Sequence, residues 1–320
     1  MKVALDSSAL RLTQAGTARY VRNLLARIRG AVDVEELAFG GPGHASVLAR
    51  ELGWYPFVLP RSARGCDVLH CPTYYGPRRS DTPLVVTVHD LAVFRRPEAF
   101  PRWTRTYVPR TVPRVLRAAA RVIAVSEFTR SELVELLGVA VEKIRVVLNA
   151  VEDVFTADGA RAEGDYLLVV GTLEPRKNLE RLAEAARRAG VELRVAGSAG
   201  WGGVSANGWV GRVDDDELAR LYRGAACFAY PSLYEGFGIP ILEAMACGAP
   251  VVTSRGGATE EVAGGAAVLV DPFDVDSIAA GIREAVSRRD ELRSRGLERA
   301  RSFSWDETAR RTLDVYRELV

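Results

Sequence analysis

The sequence predicts an α/β protein built from two doubly wound parallel sheets. Short apolar runs alternate with helical patterns along the chain, a small polar segment at 156–165 divides them into two series, and 320 residues are too many for one ordinary core. Strands that alternate with helices favour parallel sheets joined by right-handed crossovers. We therefore predict domains at 1–157 and 158–304, followed by a last helix at 305–320.

Composition excludes several classes of protein. The chain is 48% hydrophobic and 26% charged, which is typical of soluble globular proteins, and no apolar run approaches the roughly 20 residues of a membrane span. Polar residues interrupt MKVALDSSAL at once, so we expect a strand there rather than a signal peptide, and a cytoplasmic protein. The net charge of +2 argues against general nucleic-acid binding. The four cysteines lack metal or redox spacing, which indicates buried free thiols.

The first domain begins with a strand at 2–6 and a loop that ends near Gly16. A helix follows with one apolar face, made of Tyr20, Val21, Leu24, Leu25 and Ile28. Further strands are expected at 67–71, 84–89, 121–125 and 145–149. His89 closes one of them at its carboxyl end, where such sheets place their sites, although a histidine there is also commonly structural.

A basic stretch lies within the first domain. Between Arg95 and Arg121 the sequence holds eight arginines, one acid and three large aromatic residues. Such a stretch can dock on an anionic membrane or on a phosphorylated acceptor. The alternative is a solvated arginine face on a core helix. Its four prolines predict that the first half is too broken for one regular amphipathic helix.

The second domain opens with a strand at 166–170 and the loop GTLEPRKN at 171–178, followed by a helix. Arg176 and Lys177 directly precede that helix, so two cations and the positive end of the helix dipole converge. This arrangement suits a diphosphate. The alternative is a pair of solvent-facing basic residues in a loop.

The segment at 229–254 reads as a strand, a glycine loop, a helix and a second strand, which together form a βαβ unit. Pro240 falls in the first turn of the predicted helix and Gly248 just past its end, and these are the positions where proline and glycine are favoured. Glu235 and Glu243 flank the loop, and the amides of Gly236, Phe237 and Gly238 precede the helix and form a candidate anion site. Because carboxylates repel a phosphate but bind hydroxyls, the combination predicts a nucleotide sugar. An ordinary first-turn glutamate on a surface helix is the alternative for Glu243 alone.

The aspartate triplet at 214–216 suggests two interpretations. An Asp-x-Asp pair holds manganese in glycosyltransferases of another fold. Asp214 followed by Glu217, however, is typical of a helix N-terminal capping box, which explains the residues locally. We therefore predict a helix start and no metal.

Four motifs, namely TVHD at 87–90, AVSEFT at 124–129, GTLEPRKN and the Glu235/Glu243 loop, resemble the retaining glycosyltransferases of family 4. The resemblance implies the GT-B fold, in which two Rossmann-like domains face a central cleft, and a last helix that returns to the N-terminal, acceptor-side domain. It further implies that His89 contacts the donor sugar, that the loop ending at Val213 lies against the base and that the Gly16 loop approaches the donor phosphate. The sequence departs from the family at Thr17 and Ala18, where a second glycine is common.

These observations together predict the functional residues. The expected catalytic residues are His89, Arg176, Lys177 and Glu235. The expected donor-binding residues are Gly16, Gly171, Val213, Gly236, Phe237, Gly238 and Glu243. Glu235 should hold the donor-sugar hydroxyls and Glu243 the ribose hydroxyls, with no metal and no cofactor beyond the nucleotide sugar as substrate.

The expected function is a metal-independent, retaining hexosyl transfer from a nucleoside-diphosphate sugar to a hydroxyl of a glycan or glycolipid. The sequences of the motifs GTLEPRKN and VHDL resemble those of mannosyltransferases, so GDP-mannose is the expected donor. The alternatives are a transferase that uses a UDP-sugar and a non-catalytic, two-lobed protein that binds sugar nucleotides. An NAD-dependent oxidoreductase is disfavoured because the chain lacks a GxGxxG fingerprint after its first strand. If the basic stretch at 95–121 contacts a membrane, the protein would work at the inner face of that membrane.

Overall fold

A computed structural model describes residues 1–12, 16–41, 43–200 and 207–320. The chain divides into two compact units. Unit 1 comprises Met1–Asn149 and Trp305–Val320, and unit 2 comprises Ala150–Ser304. The domain boundary expected at 157 thus lies inside unit 2 of this division.

The strands and helices follow one another in regular alternation. The strands are β1 (Lys2–Asp6), β2 (Asp33–Leu37), β3 (Val68–Cys71), β4 (Leu84–Val88), β5 (Arg121–Ala124), β6 (Ile144–Val146), β7 (Tyr166–Val170), β8 (Glu192–Ala196), β9 (Trp209–Gly211), β10 (Cys227–Tyr230), β11 (Val251–Ser254) and β12 (Val268–Val270). The α-helices are α1 (Ala9–Leu12), α2 (Gly16–Ile28), α3 (His44–Ala49), α4 (Leu59–Ser62), α5 (Ala92–Arg95), α6 (Arg102–Ala118), α7 (Glu127–Leu137), α8 (Leu179–Ala189), α9 (Asp215–Gly224), α10 (Ile239–Ala246), α11 (Gly257–Ala263), α12 (Val275–Ser287), α13 (Arg289–Arg301) and α14 (Trp305–Arg317). A π-helix (Arg50–Val58) joins α3 to α4, and 3₁₀ turns cover Pro97–Ala99, Val141–Lys143 and Pro175–Lys177.

Each unit contains one six-stranded sheet. The strand order is β2-β1-β3-β4-β5-β6 in unit 1 and β9-β8-β7-β10-β11-β12 in unit 2, and all pairings between the described strands are parallel. In both sheets the winding reverses direction next to the first strand, which is the mark of a doubly wound fold. The prediction of two doubly wound, Rossmann-like domains is confirmed.

The cores are built from the apolar faces that the sequence indicated. In α2 the five residues of the predicted apolar face are all buried. All four cysteines are buried and free, as expected. Helix α14 packs against α2 in unit 1, where Trp305 makes an edge contact with Tyr20 and Asp306 pairs with Arg27 at 2.8 Å.

The first half of the basic stretch is interrupted as expected, since α5 ends at Arg95, a 3₁₀ turn covers Pro97–Ala99 and α6 begins only after Pro101. Helix α6 runs without interruption from Arg102 to Ala118, with Pro109 and Pro113 inside it. A proline inside a helix costs about 3 kcal/mol. The same helix buries Val108, Val112, Val115 and Leu116, each worth about 1.5–3 kcal/mol, so core packing outweighs the two prolines.

The polar segment at 156–165 has no helix or strand, but it is held against unit 2. Arg223 on α9 donates from Nε to the Thr156 carbonyl at 2.8 Å, and the Ala162 amide donates to the Arg220 carbonyl at 3.0 Å. The segment is therefore held on α9 by hydrogen bonds to its own backbone.

Candidate active site

Two loops meet at the reversal point of the sheet in unit 2. The loop after β7 carries Arg176 and Lys177, and the loop after β10 carries Glu235. Because β7 and β10 are parallel neighbours in the sheet, their carboxyl ends lie side by side. The Leu233 amide donates to the Arg176 carbonyl at 2.8 Å and ties the two loops together. Doubly wound sheets bind ligands at this kind of crevice.

A compact cluster of four charges fills this place. Glu235 pairs with Arg176 through Oε2 and Nη1 at 2.7 Å, and with Lys177 through Oε1 and Nζ at 2.6 Å. Arg176 also pairs through Nε with Oε1 of Glu174 at 2.7 Å. Two cations and two carboxylates thus balance one another. The side chains of Lys177 and Glu235 are each only 9% exposed, so these pairs are shielded from water.

The electrostatics keep Glu235 ionised. Burial alone raises its pKa, but Lys177 and Arg176 together outweigh burial and lower the pKa of Glu235 to about 2. Burial raises the pKa of Glu174, and Arg176 partly offsets that increase. A bound anion at this place would therefore meet two cations already engaged by carboxylates.

Neighbouring residues fix the position of Lys177. Its Nζ lies 2.5 Å from the Tyr230 hydroxyl and 4.6 Å from the centre of that ring. The backbone of Gly171 lies so close that an added Cβ would stand 3.1 Å from Lys177 Cε, and its φ of +151° also suits glycine. Gly171 therefore leaves room for the lysine.

Asn178 closes the GTLEPRKN loop. It adopts a left-handed conformation with φ of 61°, and its Nδ2 donates to the carbonyls of Pro231 and Pro272 at 3.1 and 2.6 Å. These bonds join the loop to the segments that follow β10 and β12.

The glycine loop opens helix α10 as predicted. Gly238 is the N-cap with φ of +117°, Pro240 stands in the first turn, and Gly248 follows the helix with φ of +76°. Gly236 and Phe237 are buried just before this start. Glu243 is also buried, and its Oε2 accepts a hydrogen bond from the Tyr222 hydroxyl at 2.9 Å. Its proposed contact with a ribose stays a prediction, since one oxygen is already engaged.

Asp214 begins α9 as a cap. Its Oδ1 accepts the Glu217 amide at 2.9 Å, which confirms the prediction of a helix start. Among the described residues no group of His, Cys, Asp and Glu could hold a metal ion. Val213 is half-buried directly before this cap, in the loop that leaves β9.

Two of the expected site residues belong to unit 1. His89 follows β4, and its Nε2 donates to the Pro72 carbonyl at 3.0 Å, so Nδ1 is the acceptor in the neutral ring. Burial lowers the pKa of His89, which the Pro72 carbonyl only partly offsets, and the ring is neutral near pH 7. Gly16 begins α2 and is exposed, while most of the loop before it, residues 13–15, lies outside the described residues.

Sequence reasoning missed three partners of the site. Glu174 and Tyr230 hold the two cations, and Tyr222 holds Glu243. Glu174 could have been found from the sequence, since it is an acid two residues before Arg176 in the GTLEPRKN loop. Tyr222 and Tyr230 read as ordinary core residues in a helix and a strand.

Comparisons with known proteins agree with this architecture. Residues 152–303 match the model of the glycosyl transferases group 1, and residues 15–154 match that of glycosyltransferase family 4. The O-antigen chain mannosyltransferase B of Escherichia coli is 34% identical over 79% of this chain and 74% of its own length. The MMP alpha-(1→4)-mannosyltransferase of Mycolicibacterium hassiacum is 30% identical over 92% and 80%. Among solved structures, sucrose-phosphate synthase from Thermosynechococcus elongatus superposes with a TM-score of 0.79 at 20% identity, covering 100% of this chain and 99% of that one.

Membrane-spanning helices need a long apolar segment. None of the helices that the structure describes is both long enough and apolar enough to cross a bilayer.

Proposed function

This chain belongs to the family 4 glycosyltransferases, and we propose that it moves mannose from GDP-mannose to a hydroxyl of a glycan or glycolipid acceptor, with retention at the anomeric carbon. The choice of mannose is supported by the two mannosyltransferase relatives, which match most of the chain. The observation that carries the proposal is the pairing of Arg176 and Lys177 with Glu235 at the reversal point of the sheet in unit 2.

The cations are the groups that a departing diphosphate needs. When the bond between the anomeric carbon and the phosphate oxygen breaks, negative charge develops on the diphosphate. Positive groups that are already held in position stabilise such charge without reorganising during the reaction. Tyr230 and the close backbone of Gly171 hold Lys177, and Glu174 holds Arg176. We propose that protein groups supply this charge, so that no metal ion is needed.

Glu235 has a second part in the proposal. In the structure its carboxylate pairs with both cations. It therefore occupies the place beside them that a diphosphate would take. We propose that the incoming diphosphate takes over these contacts and that Glu235 then binds hydroxyls of the donor sugar. Glu174 stays with Arg176 throughout and keeps its guanidinium in place.

We propose same-face substitution as the mechanism. A double displacement requires a carboxylate nucleophile, and Glu235 and Glu243 are both assigned to hydroxyl binding. The acceptor oxygen would bond to the anomeric carbon as the bond to phosphate breaks, and the acceptor proton would pass to the departing phosphate oxygen. The enzyme contributes orientation and charge stabilisation.

The test is an assay of the purified protein with a panel of nucleotide sugars. Calorimetry should rank GDP-mannose above UDP-sugars, and NMR of the product should show the anomeric configuration of the donor. Tighter binding of a UDP-sugar would show that GDP-mannose is not the donor. A product with the inverted anomeric configuration would show that the reaction does not proceed with retention. Donor binding with neither hydrolysis nor transfer would leave a non-catalytic binding protein.

A slow fluorinated donor tests the absence of a covalent step. Intact-mass spectrometry should find no glycosyl adduct on the wild type or on Glu235→Gln. An adduct at Glu235 would show that double displacement operates.

A further inference from the structure

A series of buried polar side chains crosses the core of unit 1. Nδ1 of His70 on β3 lies 2.6 Å from the Tyr316 hydroxyl on α14, and Nε2 lies 2.8 Å from the Thr87 hydroxyl on β4. Thr87 Oγ1 in turn lies 3.3 Å from the Tyr20 hydroxyl on α2. Each of these residues is at most 1% exposed. The His70 network, made of Tyr316, His70, Thr87 and Tyr20, therefore joins the C-terminal helix to the sheet and to α2.

The hydrogen bonds of the His70 network run in one direction. Burial lowers the pKa of His70 to about 3, so its ring is neutral near pH 7 and has one donor nitrogen and one acceptor nitrogen. Among the described residues the Tyr316 hydroxyl bonds only to His70, so the phenol donates to Nδ1. Nε2 then carries the proton and donates to Thr87, and the Thr87 hydroxyl can donate to the Tyr20 oxygen. Each group thus fixes the next one.

The Tyr20 end of the network lies against His89. The two rings meet edge to face, with centres 4.9 Å apart and planes at 80°. The Tyr20 ring also contacts Trp305, with ring centres 6.0 Å apart. His89 is held at Nε2 by the Pro72 carbonyl at 3.0 Å. Because one hydrogen bond fixes one atom of the imidazole but not the tilt of its plane, packing against Tyr20 restrains that tilt.

We propose that Tyr20 is a positioning residue for His89, and that the other members of the His70 network hold Tyr20 in place. Tyr316, at the far end, acts on His89 only through the rest of the network. The inference rests on the proposed transfer reaction and on the expected contact of His89 with the donor sugar. It goes beyond both, because it gives buried residues and the C-terminal helix a part in the reaction.

The tilt of the imidazole decides how well it can accept a hydrogen bond. His89 is half-buried, so a ligand can reach the ring, and Nδ1 is its acceptor nitrogen. A hydroxyl of the donor sugar would donate to Nδ1, and such a bond weakens steeply when its angle falls below about 120°. Misplacing a contact by about 1 Å can cost about a hundredfold in rate. Loss of one restraint on His89 among several should cost less.

Double-mutant cycles on turnover test the inference. Tyr20→Phe keeps the ring but removes its bond to Thr87, and Tyr316→Phe removes the hydroxyl at the far end of the network. With the preferred donor, kcat/KM should fall by about tenfold in Tyr20→Phe and by about threefold in Tyr316→Phe. In a His89→Ala background the same substitutions should change kcat/KM by less than about twofold, because effects that act through one shared residue are not additive.

Tyr166→Phe is the matched control. Tyr166 is buried in unit 2, and its hydroxyl donates to the Leu221 carbonyl at 2.7 Å, so this substitution also removes one buried phenol bond. It should lower the melting temperature, as Tyr20→Phe and Tyr316→Phe do, but leave kcat/KM at the wild-type level. Equal losses of kcat/KM in the wild-type and His89→Ala backgrounds would make the His70 network a structural staple of α14 alone and overturn the proposal.

NMR of the imidazole nitrogens tests the same link without turnover. The protein has three histidines, so each signal can be assigned by substitution. Tyr20→Phe and Tyr316→Phe should shift the ring signals of His89, whereas Tyr166→Phe should not. Unchanged His89 signals in Tyr316→Phe would overturn the proposal, whichever sugar is transferred. Wild-type turnover in His89→Ala would also overturn it, but would leave the proposed transfer reaction in place.

Discussion

The two sheets reverse their winding at equivalent places, yet the chemistry at those places differs. In unit 2 the loops after β7 and β10 bring together Glu174, Arg176, Lys177 and Glu235, four charges in mutual contact. In unit 1 the carboxyl end of β1 holds Asp6, and the loop after β3 presents the Pro72 carbonyl. Burial raises the pKa of Asp6, and the Pro72 carbonyl is bonded to His89, whose pKa burial lowers.

The contrast separates two kinds of recognition. Unit 2 concentrates balanced charge where little water reaches it, which suits a group such as a diphosphate that exchanges with a carboxylate. Unit 1 holds a neutral imidazole, a backbone carbonyl and a single buried carboxyl group whose pKa burial raises. The same winding therefore carries different side chains at equivalent places, and the loops decide which ones each unit has.

The largest expected effect tests the charged half of this comparison. Lys177→Ala or Arg176→Ala should lower turnover by about 10²-fold or more, because each removes one positive group held ready for the departing diphosphate. Steady-state kinetics with the preferred donor measures the loss. The control is Arg187→Ala, which removes an exposed arginine in the last turn of α8. Turnover near the wild-type level in both cluster variants would exclude the diphosphate role.

The sequence predicted where these cations lie but not what they contact. Apolar periodicity predicts the strand β7 and the helix α8, and therefore also the loop between them that carries Arg176 and Lys177. That Glu235 turns toward the cations depends on how two distant loops approach, which no local pattern encodes. The edge strand β2 (Asp33–Leu37) escaped prediction for a related reason, since its half-exposed DVEEL has too little apolar character. In the basic stretch Pro97 and Pro101 do lie before α6, whereas tertiary packing keeps Pro109 and Pro113 inside the helix, which no local pattern encodes.

The next effect tests the neutral half of the comparison. His70 on β3 is fully buried between two hydroxyls, with Nδ1 2.6 Å from Tyr316 and Nε2 2.8 Å from Thr87. Burial lowers the pKa of His70 to about 3, against 6.5 in the unfolded chain. Because the unfolded state takes up the proton first, stability is complete above pH 6.5 and falls as the pH drops toward 3. At pH 5 this histidine should cost about 2 kcal/mol of the free energy of unfolding.

Urea unfolding at pH 7.5 and pH 5 measures that cost. His70→Gln should be less stable than the wild type at pH 7.5, yet it should lose about 2 kcal/mol less than the wild type on acidification, because the group that takes up the proton is gone. Equal losses in the two proteins would show that His70 does not titrate in this window.

A smaller effect sharpens the account of Glu235. If this carboxylate competes with the diphosphate for Arg176 and Lys177, then Glu235→Gln should bind GDP without sugar about tenfold more tightly, which is about 1.4 kcal/mol. Its turnover with GDP-mannose should fall at the same time, because a sugar contact is weakened. Calorimetry with GDP measures the first change, and Glu180→Gln, an exposed acid in the first turn of α8, is the control. Weaker GDP binding by Glu235→Gln would show that Glu235 supports the phosphate site rather than competing for it.

The smallest effect asks whether acids outside the reversal point of unit 2 are structural. Asp214 caps α9 through the Glu217 amide, so Asp214→Ala should lower the free energy of unfolding by about 1 kcal/mol. Asp216→Ala changes a first-turn acid that is not the cap, so it should cost only a few tenths of a kcal/mol. Thermal unfolding gives both values, and turnover of both variants should equal that of the wild type with and without EDTA. A different result would contradict this account: loss of wild-type activity in EDTA, its recovery with Mn²⁺ and the absence of that recovery in Asp214→Ala. The triplet would then be a metal site, and Arg176 and Lys177 alone would not supply the positive charge that offsets the diphosphate.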